Sequence, residues 1–188
     1  MTINVFKNKS GLVLRYMLAR PTEAVNGRII QDDLGIGRAY ANRILATLEA
    51  LGFVSRDEEG LCQIQDPDNI IRQWKERYSP DFNDKIKIFC PKIAPKKVLA
   101  GIAKKTGYKV AIIDDKGPVL KAYIDIQGTE NEYADIFAAT KVSGGMRVEE
   151  GENLEVWVPF DNNVFFGEIG SGSVSKISRL QYLLDLFG

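Results

Sequence analysis

The chain has 188 residues, 45% of them apolar and 27% charged, with a net charge of zero, no histidine and two cysteines. That length holds one large domain or two small ones, each with its own core. The missing histidine removes the usual general base, the Ser-His and Cys-His nucleophile pairs and most zinc sites; carboxylate and lysine chemistry remain, but the reading is not an enzyme, and no catalytic residue, metal or cofactor is assigned.

From Met1 to Arg56 there are eight basic and four acidic residues. From Lys85 to Lys109 there are eight lysines and no acid, and from Asp114 to Glu168 twelve acids against four bases. The neutral total therefore hides two basic regions, and segmental asymmetry of this kind points to an anionic partner for the basic parts. No apolar run approaches the ~18 to 20 residues of a membrane span, and MTINVFKNKSG lacks the apolar core of a signal peptide, so the expectation is a cytoplasmic protein without a membrane partner. Cys62 and Cys90 stand far apart and in no metal spacing, and read as buried free thiols.

In chain order, residues 7 to 19 (KNKSGLVLRYMLA) read as a buried helix, stopped before Pro21. A short helix follows from Arg28 to Leu34, with Ile30 and Leu34 on one face, and Gly35-Ile36-Gly37 breaks it. A second helix from Arg38 to about Leu51 carries a clean apolar stripe of Ala41, Ile44, Leu45, Leu48 and Leu51, ended by Gly52. Phe53-Val54 and Leu61 to Ile64 are short strands joined by the turn Asp57 to Gly60. Asp66 is a good N-cap and Pro67 a good first residue for a helix reaching about Tyr78. The turn-rich SPDFND, residues 79 to 84, marks the domain boundary.

Beyond it, strands are expected at Ile86 to Phe89, Tyr108 to Ile113, Val119 to Ile126, Leu154 to Val158 and Val164 to Phe166. The nearly continuous apolar run of Tyr108 to Ile113 suggests a central strand. Helices are expected at Pro95 to Lys105, Glu130 to Ala139 and Val174 to Phe187, the last with Ile177, Leu180, Leu184 and Phe187 on one face. Trp74 and Trp157 read as core or interface anchors.

Helix, tight turn, helix and two-stranded hairpin is the order of a winged helix-turn-helix. The major groove is ~12 Å wide and admits one α-helix. The helix from Arg38 buries its stripe and turns Arg38, Ala39, Tyr40, Asn42, Arg43 and Thr47 the other way. Arginine pairs with guanine edges or phosphate, asparagine with adenine, and tyrosine with phosphate or a thymine methyl. Lys7, Lys9, Arg28 and Arg56 are candidate phosphate contacts. The hairpin tip, Asp57-Glu58-Glu59, is the wrong sign to lead into a minor groove, so Arg56 at the hairpin's base would touch phosphate while the tip turns away. The fold class expected is α+β: a winged helix-turn-helix domain at 1–80 followed by a mixed α/β domain at 81–188.

The N-terminal stretch resembles bacterial and archaeal winged-helix transcriptional regulators, departing from them at Gln31, usually alanine, and at Gly37, usually a serine or threonine cap. Near the C-terminus, VWVPFDNNVFF followed by GSVSKISRLQYLLDLFG resembles the end of AbiEi-type antitoxins of type IV toxin–antitoxin systems, whose closing helix reads VS-x-x-QLYLDL-like. The matching positions are Val174, Ser175, Gln181, Tyr182, Leu183, Asp185 and Leu186, with Leu184 as an extra residue. The resemblance implies a repressor that binds operator DNA in its own operon and opposes a nucleotidyltransferase-like toxin. A homodimer is a further expectation.

Three other stretches carry weaker signals. GSGSVS (170 to 175) lacks the lysine of a phosphate-binding P-loop and reads as a loop with a serine cap ahead of the last helix. Lys92, Lys96, Lys97, Lys104 and Lys105 make a second basic patch, although the helix in PKKVLAGIAKK separates its two lysine pairs. Asp125, Glu130 and Glu132 have the acids of a nuclease-like cluster but no Glu-x-Lys after a strand. The alternatives to DNA-bound repression are a module that binds a toxin or other partner without DNA, a stand-alone regulator with a sensor domain, and an enzyme in the second domain.

Overall fold

The computed structural model describes residues 4–170 and 172–186. It is an α+β protein whose chain forms two compact units, one up to Ser79 and the other over Pro80–Asp185.

The first unit consists of α1 (Asn8–Leu18), α2 (Gly27–Leu34), α3 (Arg38–Ala50), β1 (Val54–Arg56), β2 (Cys62–Ile64) and α4 (Pro67–Lys75). Strands β1 and β2 pair antiparallel, Val54 opposite Ile64 and Arg56 opposite Cys62. On the other side of β2, Val25 and Cys62 exchange two main-chain hydrogen bonds of 2.9 and 2.7 Å, tying the α1–α2 connection to the hairpin. Asp66 caps α4 by accepting from the Asn69 N–H at 3.0 Å, with Pro67 in the first turn. That helix ends at Lys75 and not near Tyr78, because the chain tightens into a turn where the Tyr78 N–H meets the Lys75 carbonyl at 3.3 Å. Leu14, Met17, Ile30, Ile36, Ile44, Leu45, Leu48 and Ile70 are all buried. The Phe6 ring sits 5.3 Å from Trp74 and 6.0 Å from Phe53. Burial of this apolar area is the main stabilising term.

The second unit is built on β3 (Asp84–Phe89), α5 (Pro95–Thr106), β4 (Val110–Asp114), β5 (Leu120–Ile124), α6 (Glu130–Val142), β6 (Met146–Arg147), β7 (Leu154–Val158), β8 (Val174–Lys176) and α7 (Arg179–Leu186). The six strands form one mixed sheet in the order β6-β3-β7-β5-β4-β8. The β5–β7 and β4–β8 pairs are parallel and the others antiparallel. Alternating side chains go to opposite faces. Val110, Ile112, Ala122, Ile124, Leu154 and Val156 pack with α5 and α6 through Val98, Leu99, Ile102 and Ile136. Ala111, Ile113, Tyr123 and Trp157 pack on the other face with Val164, Phe165, Ile177 and Tyr182. Trp74 and Trp157 are both buried.

The structure departs from the sequence expectations at four points. Val164 to Phe166 is not a strand: Asn162–Phe165 is a 3-10 turn, started by the Asp161 carboxylate accepting from the Asn163 N–H at 2.9 Å. The continuous helix expected from Val174 is instead a strand, β8, followed by α7; Ile177 lies between them and Phe187 lies outside the described residues. GSGSVS therefore leads into a strand, and the serine that caps the helix is Ser178, whose hydroxyl accepts from the Gln181 N–H at 3.2 Å. Strand β4 is one in from the sheet's end and not at its centre; its apolar character follows from burial on both faces. Among the described residues no helix is long and apolar enough to cross a membrane.

Candidate nucleic-acid interface

The α2–α3 crossing positions the candidate site. The Asn26 side chain caps α2, accepting from the N–H groups of Arg28 and Ile29 at 3.0 and 3.1 Å. Gly35 ends it in the left-handed conformation (φ 66°), which a residue with a Cβ adopts only at a cost. Ile36 is buried in the turn, and Gly37 caps α3 without a side-chain bond. At Gly27 the two helices come so close that a Cβ would lie 2.7 Å from Asn42 Cγ and 3.0 Å from the Arg38 carbonyl oxygen. Glycine is what lets α2 approach α3 there.

On α3, Ala41, Ile44, Leu45 and Leu48 are fully buried. Arg38, Ala39, Asn42 and Arg43 are exposed on the opposite side, with Tyr40 and Thr47 half-buried. The Arg43 guanidinium lies 5.1 Å from the Tyr40 ring centroid, a stacked arrangement that narrows its rotamers. The Thr47 hydroxyl donates to the Arg43 carbonyl at 2.9 Å and is thereby turned to its own helix. Asn42 is exposed, but its amide rests against Gly27. Among the described residues neither Arg38 nor Arg43 has an ion-pair partner. Arg28, by contrast, lies 3.8 Å from Asp32, both strongly exposed. Lys7 and Lys9 are exposed at the start of α1.

The hairpin is organised differently. Arg56 is held in place: Nε meets Glu49 Oε2 at 2.9 Å and a terminal nitrogen donates to the Gly60 carbonyl at 3.1 Å. The hydrogen bond to Glu49 pushes the guanidinium pKa further up. The pair ties the hairpin to α3. At the tip, Asp57 folds back and accepts from the N–H groups of Glu59 and Leu61 at 3.0 and 2.8 Å, so one of the three acids builds the turn. Glu58 and Glu59 remain exposed. Tyr16 donates to Asp33, joining α1 to α2; burial first, then this bond, pushes the phenol up.

In the second unit the α5 lysines do not gather into one patch. Lys96 and Lys97 lie in the first turn, and Lys104 and Lys105 in the last, about 12 Å away along a helix rising 1.5 Å per residue. Lys96 is bonded to Asp115 at 2.7 Å, while Lys92, Lys97, Lys104 and Lys105 are exposed. Of the acids between Asp125 and Glu132, Glu132 closes a capping box with Thr129. Its carboxyl is held below the usual range by the backbone hydrogen bond from Thr129. Among the described residues no three potential ligands gather as a metal group would need. Burial pushes both the Cys62 and Cys90 thiols up, which leaves them poor nucleophiles at neutral pH.

The residues of the C-terminal motif have visible work. Gln181 Nε2 donates to Asp185 Oδ1 at 2.8 Å, the Tyr123 hydroxyl donates to the same oxygen at 2.8 Å, and Asn83 Nδ2 reaches the Tyr123 hydroxyl at 3.3 Å. Ser175 Oγ lies 2.6 Å from Glu168 Oε2. The Tyr123–Asp185 bond ties α7 to β5, and the Ser175 contact ties β8 to the segment before it. Asn26 and Gly27 are the contributors that the sequence reading missed. An Asn-Gly pair directly ahead of Arg28-Ile29-Ile30 was the available signal, a cap followed by a residue small enough for a helix crossing.

No family model matches the chain, and neither a curated protein nor a solved structure matches it.

Proposed function

We propose that the chain is a sequence-specific DNA-binding transcriptional regulator whose first unit is a winged helix-turn-helix, and that it represses its own operon in the manner of an AbiEi-type antitoxin. Operator DNA is the primary partner in this reading, with a nucleotidyltransferase-like toxin and a second copy of the chain as further partners. The observation that carries it is the outward side of α3. Arg38, Asn42 and Arg43 lie there, the two arginines without an ion pair among the described residues, opposite a buried stripe and on a helix braced by α2 through Gly27. That geometry presents base-reading side chains and leaves the helix able to enter a groove. The antitoxin component rests on the resemblance of residues 174 to 186, whose Gln181 and Asp185 close the second unit.

The test is fluorescence anisotropy with duplexes from upstream of the coding region, against scrambled duplexes, over a salt series. The proposal expects tighter binding to at least one upstream duplex, with affinity falling linearly in log salt. Equal affinity for upstream and scrambled duplexes rejects sequence-specific regulation. Absence of any salt-dependent binding, with a toxin still co-purifying, leaves a protein-interaction role in its place.

A further inference from the structure

The carboxyl ends of β4 and β8, a parallel pair, open into a half-open cavity of about 270 Å³ in the second unit. This is just below the ~300–1,000 Å³ typical of ligand sites, and in open α/β sheets ligands bind outside strand carboxyl ends. One side of it is apolar: Ile113, Ile177 and the aromatic Tyr182, with Ile169, an isoleucine that is 65% exposed. The β4–β5 register slips between Ile112 and Asp114, a bulge at the cavity edge of the kind that re-aims side chains beside binding sites.

The charges around it are unequal in availability. Asp115 is answered twice, by Lys96 at 2.7 Å and by Lys176 at 3.6 Å, and the hydrogen bond from Lys96 keeps its carboxyl below the usual range. Asp114, which also lines the cavity, accepts from the Lys116 N–H at 3.0 Å. Lys116 and Arg179 also line the cavity, and among the described residues neither side chain has an ion-pair partner. Three cations, Lys116, Lys176 and Arg179, stand against two acids, Asp114 and Asp115, around an apolar wall, and this excess of positive charge suits a small anion with an apolar body. The larger groove by Lys85, Lys87 and Arg147 is a weaker candidate, because Lys85 is paired with Asp81 and Lys87 with Glu152.

We propose that this cavity is a binding site for a small organic anion. Its apolar body packs on Ile113, Ile177 and Tyr182, and its single carboxylate or phosphate meets Lys116 and Arg179. The site stands independently of DNA binding by the first unit. It is tested by calorimetric titration of the full chain with naphthoate and with adenosine monophosphate, each beside its uncharged counterpart, naphthalenemethanol or adenosine. The expected result is saturable binding of at least one anion, about ten-fold tighter than its neutral counterpart, the value of one charge-assisted contact. The anion that binds identifies the headgroup as carboxylate or phosphate. Replacing Lys116→Gln and Arg179→Gln together should weaken binding by at least about ten-fold, with an unchanged circular-dichroism spectrum. Ile169→Glu, on the exposed wall, should abolish it. The proposal is overturned if neither anion saturates below about 5 mM, if the neutral counterparts bind equally well, or if the double variant binds as the parent does.

Discussion

Arg43 on α3 and Arg56 on β1 are both candidate DNA contacts in the sequence, one on the base-reading face of the helix and one for phosphate. In the fold they differ. Arg43 is exposed, lies over Tyr40 and has no ion pair among the described residues, whereas Arg56 is closed into a bridge with Glu49 and the Gly60 carbonyl. The same distinction separates Arg179 from Lys176 in the second unit, where only Lys176 is answered by a carboxylate. A basic residue is more readily available to an anionic partner where the fold has not already supplied its counter-charge, and that supply depends on residues distant in sequence or on the far side of a turn.

The largest expected effect that sharpens this contrast is on α3. Arg43→Ala should weaken binding to the operator duplex by ~1 to 3 kcal/mol and relax preference at one base position, measured by anisotropy on single-base variants of the site. Gly27→Val should destabilise the first unit by about 1 to 3 kcal/mol in urea unfolding, since the added atoms press on the Arg38 carbonyl and Asn42. An unchanged midpoint there would mean that α2 and α3 are not held at that distance. Arg56→Ala should cost less than about 1 kcal/mol of stability, as a partly exposed pair does, and shift operator affinity less than about two-fold.

Glu58→Gln with Glu59→Gln should raise affinity for scrambled duplexes and leave sequence preference intact. Asp57 is spared in that variant because its carboxylate holds the turn.

The smallest effect is a pH dependence in the second unit. Tyr133 donates to Asp84 at 2.9 Å, and burial, then this bond, pushes its phenol up to about 12 from 10.0. A pKa raised on folding stabilises fully below the unfolded value and is lost as pH climbs through the folded one. Stability should therefore fall between pH 10 and 12, and fall less steeply in Tyr133→Phe; parallel curves would remove that account.

Much of the fold was legible where local chemistry and burial agree. The Asp66-Pro67 cap, the α3 stripe as far as Leu48 and the Leu154–Val158 strand all follow from short-range rules, whereas Leu51, expected in the stripe, lies past the helix end and is exposed. The signal failed where burial came from tertiary packing. Val164 and Phe165 are buried within a 3-10 turn, so an apolar run looked like a strand. Strand β8 hid in the polar Val174-Ser175-Lys176, because pairing with β4 and not apolar content makes it a strand. At the candidate interface the sequence supplied the α3 side chains. The Glu49–Arg56 pair spans a helix end and a strand, and the seat of Asn42 on Gly27 depends on a helix crossing; neither has a periodic signature.

The most direct measurement is anisotropy of the parent chain, Arg43→Ala and Arg56→Ala on one upstream duplex and one scrambled duplex at matched salt. The account predicts that Arg43→Ala loses most of the difference between the two duplexes while Arg56→Ala keeps it. Equal losses in both variants, or no difference between duplexes for the parent chain, would contradict it.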